Sequence, residues 1–289
     1  MKKYLSLVKF AHTIFALPFA LLGLFMGFRY MEEQALAPAR PYWLLFVLVV
    51  LCMVFARSAA MAFNRYLDRD IDAANDRTRQ REIPSGQIAP RQALVFTLVN
   101  AGLFIATAWS INLLCFALSP VALLVILGYS YTKRFTALCH LVLGLGLSLA
   151  PVGAFLAVTS VFQWAPVMLG LAVLTWVSGF DIIYALQDED FDKAHRLNSI
   201  PALLGKRRAL GVSTALHLVS ASLIVLFGVL ARASGIFWIG AAVFLALLAY
   251  QHYLVKPHDL SRVNLAFFTT NGIASVVFAT FAIGELVMQ

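Results

Sequence analysis

An all-helical membrane protein of nine spanning helices in two related halves is the fold class this sequence predicts, and three observations predict it. Of its 289 residues, 61% are hydrophobic and 12% charged, with a mean hydropathy of +0.84; soluble domains carry about 25% charged residues. A membrane-spanning helix needs roughly 20 apolar residues, and such runs lie near 10–28, 42–63, 93–110, 113–131, 136–158, 164–186, 209–230, 236–254 and 263–284. Finally, ten of the fourteen acidic residues fall in two clusters whose spacing repeats at an offset of 120 residues.

The first run follows "MKKYLSLVK" and is followed by "ALA" at Ala35 to Ala37, an arrangement that imitates a secretory signal and its cleavage site. Glu32 and Glu33 stand between the two, and the apolar core is long for a signal, so the run reads as a retained helix. The inner ends of the even-numbered runs and the loops after them, with the amino terminus, hold nineteen of the twenty-two Lys and Arg; Arg29, Arg40 and Arg232 are left for the other side. Short cytoplasmic loops keep positive charge. The amino terminus and the even-run loops are therefore expected in the cytoplasm, with the net charge of +8 facing an anionic lipid surface rather than a nucleic acid. Cys52, Cys115 and Cys139 lie in or beside apolar runs without metal-binding spacing and read as packing residues; His12, His140, His217 and His252 read as helix-packing or interfacial residues. Nothing in the chain marks a protein partner.

The acidic clusters close the second and sixth runs. Asp68, Asp70, Asp72, Asp76 and Glu82 form one; Asp181, Asp188, Glu189, Asp190 and Asp192 form the other. Asp68 and Asp72 are four apart, as are Asp188 and Asp192, a spacing that places two carboxylates on one helical face. Such a pair repels itself unless a cation lies between, so each DxxxD is either a cation site or a solvated surface pattern. Oxygen donors without Cys or His favour Mg²⁺ over Zn²⁺, and Mg²⁺ is commonly held by one or two carboxylates together with substrate phosphate oxygens. Two facing pairs suit a diphosphate. Asn64 adds an oxygen one turn before Asp68; Asp181 and Tyr184 extend the second pattern inside "TWVSGFDIIYAL". A carboxylate in such a run costs about 2.5 to 3.5 kcal/mol on insertion scales, so Asp181 is expected to face a cavity. Asp70, Asp76, Glu82, Glu189 and Asp190 are off the paired positions and read as solvated or loop-organising. Gly86 and Gly205 read as turn residues.

These residues resemble the UbiA superfamily of intramembrane prenyltransferases over essentially the whole chain, read as one domain, 1–289. Its first motif is matched by Asn64, Asp68 and Asp72, the second by Asp181, Tyr184, Asp188 and Asp192, and a YxxxK signature by Tyr129 and Lys133. "VKFAHTIFALPFALLG" and "ARSAAMAFNRYLDRDIDA" are most similar to the bacterial 4-hydroxybenzoate polyprenyltransferase branch. The resemblance implies nine helices around a central cavity, capped by cytoplasmic loops, in the bacterial inner membrane. It further implies Mg²⁺-dependent transfer of a polyprenyl group from its diphosphate to an aromatic acceptor: 4-hydroxybenzoate of a ubiquinone-type pathway, or alternatively a dihydroxynaphthoate of menaquinone synthesis. Asp68, Asp72, Asp188 and Asp192, supported by Asn64, would hold the metal. Lys133, Arg77, Arg81, Arg134 and Lys193 would balance diphosphate charge, while Tyr129 and Tyr184 would shield an allylic cation.

Arg57 lies seven positions before Asn64, about two turns deeper on nearly the same face. Its charge there is answered either by an acceptor carboxylate or by an internal partner such as Asp181. An ion-coupled transporter is the non-enzyme alternative; its acids belong near the bilayer middle, whereas these lie at one edge beside basic loops.

Overall fold

The computed structural model describes Tyr4, Ser6, Leu7 and residues 15–288, and among them it is helical throughout apart from one isolated bridge between Lys256 and Asp259. The long helices are α1 Leu17–Glu33 and α2 Tyr42–Leu67; a short α3 Arg69–Ala74 follows. Next come α4 Pro90–Ile111, α5 Leu113–Thr132, α6 Cys139–Thr159 and α7 Trp164–Ala185, then a 3₁₀ turn Leu186–Asp188 and the short α8 Glu189–Ala194. The chain ends with α9 Ile200–Leu230, α10 Gly235–Leu254, a π turn Leu265–Thr270 and α11 Asn271–Met288. Eight of the nine expected spans are long and apolar enough to cross a membrane. The first is covered in part: α1 counts 17 residues, and residues 10–14 lie outside the described chain.

Helix starts follow their local chemistry. Proline opens α4 and stands second in α1 and α9, in the first turn, where its missing N–H leaves no bond unmade. Ser199 and Ser234 cap α9 and α10 through their hydroxyls. The expected run at 209–230 proves to be the deeper part of α9. Its first turn, Ile200–Leu204, is offset by a kink at Gly205, whose φ of 76° and ψ of 161° suit glycine alone.

α6 is the hub, packing on α1, α5 and α7; α7 packs on α9, α2 on α4 and α5, and α11 on α1 and α10. Phe19, Trp176, Phe180, Phe244, Phe267 and Phe278 fill the centre of α1, α7, α10 and α11. Within it, Asn271 accepts hydrogen bonds from Trp176 (3.0 Å) and Gln251 (2.7 Å), and its amide donates to the carbonyls of Ala266 and Phe267. These are carbonyls of the π turn, which hydrocarbon could not solvate. The ends of α2, α5 and α7 and the starts of α4, α6 and α9 share one end of the bundle. Trp43, Trp109 and Trp164 are exposed at the other, as in a membrane-interface belt.

One close approach sets the site. At Gly144 of α6 an added Cβ would lie 2.4 Å from the Leu174 carbonyl oxygen and from Ser178 Oγ of α7. Gly144→Ala is expected to push the two helices apart at a cost of about 1–3 kcal/mol, read as a lower thermal midpoint in detergent. An unchanged midpoint would show that this contact yields freely.

Candidate active site

Both DxxxD motifs break where a continuous helix was expected. α2 ends at Leu67, and Asp68 (φ −89°, ψ 5°) turns the chain into α3; Asp188 (φ −103°, ψ 5°) does the same before α8. The six-residue helices that follow, 69–74 and 189–194, repeat at the offset of 120. The Asp72 amide still donates to the Asp68 carbonyl at 2.7 Å, so the first pair stays adjacent across its break.

These segments wall a polar cavity of about 220 Å³. Asn64, Asp68, Asp72, Arg77, Arg81, Tyr129, Lys133, Asp181, Tyr184, Asp188 and Asp192 all line it. Arg134 and Lys193 do not. Arg134 reaches back to the carbonyls of Ser130 (2.9 Å) and Leu67 (3.0 Å) and to Asp68, tying α5 to the end of α2. Lys193 turns to Glu189 at 2.5 Å, because an i,i+4 partner on its own short helix is nearer than the cavity. Of the residues read as solvated or loop-organising, Glu189 and Glu82 are buried, and Asp70 and Asp76 stand in solvent.

Inside the cavity every acidic residue of the motifs has a polar partner. Asp68, 2% exposed, takes Lys133 Nζ at 2.6 Å, Arg134 at 3.0 Å and the Asn64 amide at 3.1 Å. Asp72 takes Arg81 at 2.7 Å. Asp188 accepts from Arg77 through both Nε and Nη2, with Asn75 Nδ2 at 3.2 Å, and Asp192 accepts from Ser199 Oγ at 2.7 Å. Arg77 therefore joins the first loop to the second motif, while its guanidinium also donates to Tyr184 Oη at 2.9 Å and lies over the Tyr184 ring. Burial works against the Arg77 charge, but its bonds to Asp188 outweigh burial and hold its pKa above the ordinary arginine value. Phe267 stacks on Tyr184, 4.1 Å between centroids.

Whether a hard cation suits this site turns on Asp72. Its Oδ2 is shut from solvent and lacks a hydrogen-bond partner, with Arg65 no nearer than 4.0 Å. The donor set, carboxylates with the Asn64 amide oxygen, is all oxygen and fits Mg²⁺. In this conformation no three acidic, His or Cys groups among the described residues are gathered as a metal site; arginine and lysine answer the carboxylate charge instead.

Behind the polar cavity lies an apolar one of about 380 Å³, walled by α2, α4, α5 and α6, with Val49, Cys52, Ile111, Cys115, Leu147 and Ala150 in its lining. Tyr129 lines both cavities. Arg57 stands among the apolar residues near Tyr129, with its Nε buried and without a partner. Asp181 is not its counter-charge, as the sequence had allowed. Asp181 binds His140 Nδ1 at 2.7 Å instead. His140, read as packing, is thus the main residue that sequence reasoning missed, along with Asn75, Thr78, Ser130 and Ser199 of the lining. Ser199 carried a readable signal, a helix-capping serine two positions before proline. His140 offered only its place one turn into a helix that begins at this end.

The profile of the UbiA prenyltransferase family matches residues 16–273. A 4-hydroxybenzoate octaprenyltransferase from Nitrosomonas eutropha is 33% identical over 255 residues, 87% of either chain. Among solved structures, the apo form of a UbiA homologue from Aeropyrum pernix K1 is 29% identical with a TM-score of 0.79, covering 96% of this chain and 97% of that one. A UbiA homologue from Archaeoglobus fulgidus, bound to GPP and Mg²⁺, shares the fold with a TM-score of 0.77 at 22% identity, covering 99% of each chain.

Proposed function

This chain belongs to the UbiA prenyltransferase family, a multi-pass membrane enzyme of the prenyl-transferring class, and from that premise we propose that it moves a polyprenyl group from its diphosphate to the ring of 4-hydroxybenzoate. The observation that carries the reading is the junction at Tyr129, where a cavity of paired acidic and basic side chains meets an apolar one. A polyprenyl diphosphate has those two ends. The reading places the diphosphate among Lys133, Arg77 and Arg81 and the first prenyl units beyond Tyr129.

Asp68, Asp72, Asp188 and Asp192, with Asn64, would hold Mg²⁺, which when bound neutralises diphosphate oxygens and eases their departure. The cations already sit on the carboxylates they would leave for phosphate. Lys133 and Arg77 are each about a third exposed on the cavity side and stay close to the leaving group as its charge builds. The ring of Tyr129, which lines both cavities, stabilises the allylic cation and, with Tyr184, excludes water from it. Arg57 holds the acceptor carboxylate, turning the ring's electron-rich carbon toward that cation. This orientation of the site, with the loops in the cytoplasm, is supported by the distribution of Lys and Arg.

A membrane-fraction assay with radiolabelled polyprenyl diphosphate and Mg²⁺ tests the reading, offering 4-hydroxybenzoate and 1,4-dihydroxy-6-naphthoate in parallel. Labelled 4-hydroxybenzoate product, lost in EDTA and restored by Mg²⁺, is the expected result. Product with the naphthoate alone would transfer the assignment to a menaquinone-type route. Turnover that survives EDTA would remove the metal.

A further inference from the structure

His140 and Asp181 form a pair that the reading above does not use. Ser178 Oγ donates to the His140 carbonyl at 3.1 Å, and the close approach at Gly144 fixes α6 against α7, so the imidazole of one helix is set against the carboxylate of the other. His140 is 3% exposed, and its Nδ1 lies 2.7 Å from Asp181 Oδ2.

The other ring nitrogen decides the tautomer. His140 Nε2 lies 3.3 Å from the backbone nitrogen of Ile200, in the first turn of α9. An amide N–H only donates, so Nε2 accepts and the ring proton resides on Nδ1, donated to Asp181. The same turn of α9 begins at Ser199, whose hydroxyl donates to Asp192. A line of hydrogen bonds thus runs from Asp181 through His140 to the helix start that carries the partner of a motif aspartate. Asp181 Oδ1 has no partner among the described residues, and Asp181 lines the polar cavity near Tyr129. One oxygen is tethered; the other is offered to whatever enters.

We propose that His140 is a positioning residue for the aromatic acceptor: it fixes Asp181 in the rotamer that presents Oδ1 to the acceptor's hydroxyl, opposite the end held by Arg57. The inference rests on the prenyl-transfer reading. A ring bearing a carboxylate at one end and a hydroxyl at the other is clamped at both, and the hydroxyl that activates the ring is held by a carboxylate oxygen. An Nδ1–H donor suits this work, since it occupies Oδ2 and leaves Oδ1 to accept from the hydroxyl.

Kinetics of the full-length enzyme in membranes test it, with His140→Leu, His140→Asn and Asp181→Asn measured against both substrates. His140→Leu is expected to raise the KM for 4-hydroxybenzoate at least tenfold and to leave that for the prenyl diphosphate within twofold. His140→Asn places an amide donor where Nδ1 was and should recover most of the loss. In an Asp181→Asn background, His140→Leu should add nothing. Equal effects on both substrates, no rescue by Asn, or full additivity with Asp181→Asn would each overturn the proposal. Should His140→Leu fail to accumulate, Asp181→Asn alone must show the acceptor-selective rise, and its absence overturns the proposal as well. Wild-type enzyme that prenylates neither acceptor would instead bring down the underlying reading and this inference with it.

Discussion

Asp188→Asn is expected to lower kcat about a thousandfold while the protein stays folded in the membrane. The variant keeps the volume of the side chain, removes its charge and turns one of the two oxygens that accept from Arg77 into a donor. If Asp188 helps to hold the cation, transition-state stabilisation of about 4 kcal/mol goes with it, and each 1.36 kcal/mol is about tenfold in rate. The fold has little to lose. The Asp188 and Arg77 side chains are 18% and 31% exposed, so solvent reaches the arginine left behind and the loss of stability stays at about 1–2 kcal/mol. The variant should also need a higher Mg²⁺ concentration for half-maximal rate.

Asp68 gives the contrasting case. Its side chain is 3% exposed and carries both Lys133 and Arg134, so its loss strands two cations at the junction of α2 and α5. Asp68→Asn is expected to abolish transfer at a further stability cost of about 3 kcal/mol. Thermal midpoints measured beside turnover separate the two effects. Turnover within tenfold of wild type in either variant, at saturating Mg²⁺, would take the metal assignment with it.

How far the sequence reached depends on the range of the interaction concerned. Hydropathy located the spans because a run of some twenty apolar residues is a property of the segment itself, and the motif aspartates stood out because charge is costly beside such runs. Where the outcome depended on competition, sequence spacing was a weaker guide. The resemblance puts Lys193 at the diphosphate, yet Glu189 on the same short helix captures it. The four-residue spacing of each aspartate pair suggested a continuous helical face, while Asp68 and Asp188 in fact turn the chain between two helices. The start of α9 was read too late because Gly205 and the basic "KRR" after it interrupt an apolar run that the backbone carries through a kink. The partnership of His140 with Asp181 was out of reach, since it follows from how closely Gly144 lets α6 approach α7. Nothing local to either residue encodes that distance.

Arg57→Met is expected to raise the KM for 4-hydroxybenzoate about 10- to 100-fold, with the KM for prenyl diphosphate within about twofold of wild type. The magnitude follows from one hydrogen-bonded charge pair, about 1.5–3 kcal/mol. The structure makes the selectivity a sharp demand. Arg57 lines the apolar cavity but not the polar one, and its Nε is buried without a partner. An unpaired buried charge costs stability, so methionine, with a similar stem and no charge, should leave the thermal midpoint unchanged or raise it. Lost acceptor affinity together with unchanged or gained stability is the signature of a group kept for its ligand. An acceptor lacking the carboxylate supplies the control: phenol should react poorly but equally with wild type and Arg57→Met. If the variant loses as much with phenol as with 4-hydroxybenzoate, or loses affinity for both substrates alike, the arginine is a structural member of the cavity wall and the acceptor carboxylate binds elsewhere.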